Sequence, residues 1–113
     1  MSFEKIKNLI LSDNIPDVQI GAVLLNHSLS EDEGNGLNIL INVLEQFKLI
    51  IEGENIYKKG EVVEKLEILL DEVKSRTAIR IIKTAVSDNS IVPATVAVYD
   101  QYNSLINKTN SID

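Results

Sequence analysis

A chain of 113 residues with 44% apolar side chains can bury one ordinary hydrophobic core and is too short for two. Seventeen acidic residues against eleven basic ones give a formal charge of -6, which opposes nonspecific attraction to DNA, RNA or an anionic membrane face. With no cysteine and one histidine, the chain is excluded from disulfides, thiolate catalysis, iron–sulfur ligation, cysteine-held zinc and any histidine-rich metal cage of its own.

Residues 2–11 read as a first helix, because Phe3, Ile6, Leu9 and Ile10 share one side and Glu4, Lys5, Lys7 and Asn8 the other. Ser12-Asp13-Asn14 stops it, and Pro16 suits the first turn of a second helix, where its missing N–H costs nothing. Val18, Ala22, Leu25 and Leu29 continue a buried stripe, which Ile20, Val23 and Leu24 widen until a central position is expected. Ser30 and Glu33 have the spacing of a capping box. Gly34 and Gly36 weaken a helix from that start, so 31–36 is also open to a loop or single turn before a third helix whose face is Leu37, Leu40, Ile41, Leu44 and Phe47.

The segment 49–60 supports two readings. Leu49-Ile50-Ile51 and Ile56-Tyr57 are β-prone runs flanking a glycine turn, so a small β-hairpin near 49–59 is favoured, with a helix–helix corner at Gly53-Glu54-Asn55 as the other reading. A helix over 61–74 follows, with the stripe Val62, Leu66, Leu69, Leu70 and Val73 inside and a Glu61–Lys65 pair on the wet side. Ala78, Ile81, Ile82, Ala85 and Val86 begin another face, and Pro93 opens a last helix carrying Val96, Tyr99, Tyr102 and Ile106. The expected fold class is mainly α: a compact bundle or short helical-hairpin array of five to six helices. Residues 1–107 form one helical domain and 108–113 a short flexible tail.

Ser12-Asp13-Asn14 recurs as Ser87-Asp88-Asn89, each between an amphipathic segment and a proline-opened one. With Gly53-Glu54-Asn55 as a degenerate middle copy, this resembles a HEAT-type helical repeat over nearly the whole chain, which implies a concave protein-binding surface. The same residue types also serve ordinary helix caps. Residues 17–59, taken as apolar helix, acidic connection, helix and hairpin, resemble a winged-helix domain with Glu52 to Asn55 at the wing tip. That resemblance implies nucleic-acid or protein binding, but Asn35, Asn38, Asn42 and Gln46 on its recognition helix are joined by Lys48 alone as a cation, too little for phosphate positioning.

No catalytic, cofactor or metal constellation is legible. His27 reads as a helix-terminus residue, Ser28 and Ser30 lack a nucleophile elbow, and Gly34-Asn35-Gly36 is too short for a phosphate loop. Glu67, Asp71 and Glu72 can face water or bind a basic partner, and Lys74, Arg76, Arg80 and Lys83 read as a solvated helix face. The expected function is a non-enzymatic protein–protein interaction module, such as an adaptor, inhibitor or assembly component. Its candidate surface is Glu31, Asp32 and Glu33 with an adjacent helix face, or Tyr57, Lys58 and Lys59. The partner is a protein or a second copy rather than a membrane, and no cofactor is expected. A winged-helix-like nucleic-acid-associated regulator is the alternative. No apolar run approaches the roughly 20 residues of a membrane span and no signal-like start is seen, so a soluble cytoplasmic protein is expected.

Overall fold

The described residues form five helices: α1 (Phe3–Ile10), α2 (Ile15–Glu31), α3 (Glu33–Glu52), α4 (Ile56–Glu72) and α5 (Arg76–Ser87). The computed structural model describes residues 3–53 and 56–87, with side chains over 3–53 and 60–85. No strand occurs among them. The expected final helix from Pro93, the tail and most of the second Ser-Asp-Asn segment lie outside the described residues.

The first Ser-Asp-Asn segment is a turn held by its own side chains. Ser12 Oγ accepts from the Asn14 N–H at 3.1 Å and donates to Asp17 Oδ2 at 3.1 Å. Asn14 is extended at the N-cap of α2 without a side-chain cap, and Pro16 stands in the first turn. Val18, Ala22, Leu25 and Leu29 are buried as their spacing requires. Gly21 lets α2 cross α1 closely, since a Cβ there would lie 2.8 Å from Ile10 Cγ1 and 3.0 Å from the Ile10 nitrogen.

Only Asp32 separates α2 from α3. Its N–H bonds the Ser28 carbonyl at 2.8 Å to close α2, its carbonyl accepts from the Gly36 N–H at 3.0 Å to open α3, and its Oδ1 accepts from the Asn35 N–H at 3.2 Å. Asp32 is therefore the cap that was expected of Ser30, and the Ser30–Glu33 capping box does not form because Ser30 is still helical in α2. Gly34 and Gly36 do not delay α3. Gly36 is buried against Leu29, where a Cβ would meet Cα at 2.8 Å, so the glycine makes the tight corner sterically feasible.

The favoured β-hairpin near 49–59 is not formed: α3 continues to Glu52, Gly53 ends it, and α4 is under way from Ile56, so the corner reading holds. Ile51 follows Leu44 and Phe47 on the buried face of α3. Burying such a side chain gains about 1.5–3 kcal/mol, against a helix-propensity penalty of up to about 0.7 kcal/mol for a β-branched residue. Burial outweighs local β preference.

In α4 the stripe Val62, Leu66, Leu69 and Leu70, continued by Val73, is buried. Lys65 is not on the wet side. It is 3% exposed, and its Nζ donates to the Leu11 carbonyl at 3.3 Å, an acceptor beyond the end of α1 that α1 itself leaves unpaired. Ser75 caps α5 by accepting the Ala78 N–H at 3.2 Å, and Ala78 and Ile82 are buried.

Each helix packs on the next, and α1 on α3, α2 on α4 and α3 on α5. This is the pattern of a staggered two-row array, with α1, α3 and α5 in one row and α2 and α4 in the other. The central helix is α3, which touches all four others and contributes Ile39, Leu40, Val43, Leu44, Phe47 and Ile51 to one continuous core. A radius of gyration of 13.0 Å is that of a compact chain of about 100 residues.

Candidate functional site

α2 packs on α1, α3 and α4, yet its apolar face is wider than the part the core covers. Val18, Ala22, Leu25 and Leu29 fill the core, whereas Ile20 and Val23 remain 51% and 50% exposed. Two bonds fix how α4 lies beside them. Lys65 reaches Leu11 just before α2 begins, and the Lys74 N–H donates to Asn26 Oδ1 at 3.0 Å further along. The two helices of this row therefore run parallel.

Between them lies an open groove of ≈ 540 Å³. Its floor is Ile20, Val23 and Leu24 from α2 and Ile68 from α4. Pro16 and Gln19 edge it on one side, Asp71 and Glu72 on the other. A shallower depression of ≈ 240 Å³ lies between α3 and α5, lined by Ile41, Leu44, Glu45, Lys48, Ile81, Thr84 and Ala85. Ile41 and Leu49 are the other large apolar side chains left exposed among the described residues, at 41% and 60%.

Glu31, Asp32 and Glu33 sit together and exposed at the α2–α3 corner, away from the floor of the α2/α4 groove. Two of the three have local structural tasks: Asp32 caps α3, and Glu31 Oε1 lies 3.1 Å from His27 Nε2 one turn earlier. Both partners of that pair are well exposed, and His27 lines neither groove. Tyr57, Lys58 and Lys59 fall in the first turn of α4 rather than on a strand edge, and their side chains lie outside the described residues. The structure does not bring these two sequence-level candidates together with the groove.

Asp71 and Glu72 are the titratable residues on the groove's lining. Among the described residues no group of three or more histidines or carboxylates could hold a metal ion. No helix among them is long and apolar enough to cross a membrane. What the arrangement offers is apolar area with an acidic edge. Ile20, Val23 and Leu24 were in view in the sequence, but their exposure depends on how far α4 covers α2, which spacing alone does not give. No protein-family model matches the chain, and neither a curated protein nor a solved structure matches it.

Proposed function

We propose that the protein is a non-enzymatic interaction module, an adaptor, inhibitor or assembly component that holds another protein in the α2/α4 groove. The carrying observation is the pair Ile20 and Val23, half-exposed on the floor of the α2/α4 groove. Contiguous exposed apolar area rimmed by polar residues marks interaction sites on otherwise soluble folds. The HEAT-type resemblance belongs to the same reading and is supported by the alternating packing of the helices, in which paired rows present long grooves to partners. A cytoplasmic location fits the absence of cysteine from a chain of this size.

A nucleic-acid-associated regulator is the second reading, and Arg76 and Arg80, exposed one turn apart on α5, favour it. The segment that would supply the wing of a winged-helix domain is helical through Glu52 and again from Ile56, which removes that support. The test is affinity capture from the native cells with nuclease-treated and untreated samples, using the full chain and its Ile20→Gln/Val23→Gln variant. A stoichiometric protein partner that survives nuclease and is lost with the variant is expected. Recovery that depends on nucleic acid, or a partner indifferent to the variant, overturns the reading.

A further inference from the structure

The groove has an apolar floor but sides of unlike charge, and that asymmetry specifies its occupant. In α4, Glu64 and Asp71 are exposed and Glu67 and Glu72 half-buried. The one cation in that stretch, Lys65, is turned inward to the Leu11 carbonyl. Of these carboxylates, Asp71 and Glu72 line the groove. Across the groove, α2 contains neither lysine nor arginine, and its contributions to the edge, Pro16 and Gln19, are neutral.

We infer that the groove receives an amphipathic helix of a protein partner, with its apolar side chains between α2 and α4 and its lysines or arginines along α4. This rests on the interaction-module reading and adds the chemistry of the partner. Shape argues for a helix: two parallel helices leave a trough along their length, and the apolar floor at Ile20, Val23 and Ile68 accepts side chains at helical spacing. Charge argues for basic residues on one flank, since a cation placed beside Asp71 and Glu72 over a low-dielectric floor is attracted more strongly than in open solvent. The same charges disfavour the other occupants. Nucleic acid and anionic lipid are repelled, and a second copy docked groove to groove would set against Asp71 and Glu72 either its own carboxylates or an α2 with no lysine or arginine.

The test uses the full chain, labelled with nitrogen-15, and two synthetic peptides of about 14 residues, near the length at which isolated helices begin to persist in water. Both carry leucines at helical spacing, one with lysines and the other with glutamates on the polar face. Saturable shifts confined to residues 16–24 of α2 and 68–72 of α4 are expected with the leucine–lysine peptide, with none from the leucine–glutamate peptide. Ile20→Gln/Val23→Gln should weaken binding about tenfold or more. Asp71→Asn/Glu72→Gln should weaken it less and flatten its dependence on salt. All four positions lie on the surface of the groove, so urea unfolding of each variant separates lost binding from lost structure. Equal binding of the two peptides at the groove overturns the charge-selected partner while leaving an interaction module. Shifts centred on α3 and α5, or no saturable binding of either peptide, overturn the proposal at this site. Groove shifts on dilution of the chain without peptide assign the face to a second copy and also overturn it.

Discussion

Gly36→Ala and Gly34→Ala place the same methyl group two residues apart in the first turns of α3, with opposite expected results. At Gly36 an ideal Cβ would lie 2.7 Å from Leu29 Cδ2 and 2.8 Å from both its Cγ and its Cα. The side chain of Leu29 could rotate, but its Cα belongs to the backbone of α2 and can retreat only if the corner at Asp32 opens. Overpacking of this kind costs about 1–3 kcal/mol, offset by about 1 kcal/mol of helix propensity gained over glycine. The net expectation is a loss of up to about 2 kcal/mol. At Gly34 the nearest atom is Asp32 Oδ1 at 3.6 Å, an ordinary contact, so alanine should stabilise by up to about 1 kcal/mol. Urea unfolding of both variants beside the parent measures the difference through the midpoint at constant m-value. If Gly36→Ala matches or exceeds Gly34→Ala in stability, α2 and α3 do not approach as described and the one-residue corner is wrong.

Asp32→Ala should cost about 1 kcal/mol through loss of the α3 cap, and Asp32→Asn or Asp32→Ser should recover most of it in the same unfolding assay; an unaffected midpoint for alanine would show that Oδ1 does not hold the Asn35 N–H. Lys65→Ala should destabilise by about 1–3 kcal/mol, because it removes a buried stem and the donor to the Leu11 carbonyl. Lys65→Met, which keeps most of the stem, should cost less, and a smaller loss for alanine than for methionine would contradict the burial of this residue. His27→Gln should change the unfolding free energy by less than about 0.5 kcal/mol, as expected of an exposed pair one turn apart; a larger loss would mean that the ring is packed.

Helical periodicity located the buried stripes of α1, α2, α4 and α5, because residues such as Ile6, Leu25, Leu66 and Ile82 face the core whatever their neighbours do. It failed where tertiary contact decides. Leu49-Ile50-Ile51 is β-prone locally, yet Ile51 completes the buried face of α3. Gly36 looks like a helix breaker in one dimension and is a spacer in three, because the reason for it is Leu29 on another helix. Lys65 looks like a surface charge until the end of α1 supplies an acceptor from 54 residues away in sequence. The groove was hidden for a related reason. A very apolar α2 reads as buried all round, and it does pack on α1, α3 and α4, but its surplus apolar residues Ile20 and Val23 stay half-exposed. The acidic corner at Glu31, Asp32 and Glu33 was visible as charge, and much of that charge serves the helix ends.

Amide hydrogen exchange on the full chain, alone and saturated with its captured protein partner, tests the docking groove most directly. The account predicts slowed exchange concentrated in residues 16–24 of α2 and 68–72 of α4, with the α3/α5 depression unchanged. Protection centred instead on the corner at Glu31, Asp32 and Glu33, or on α5 around Arg76 and Arg80, with the groove exchanging as in the unbound chain, would contradict it.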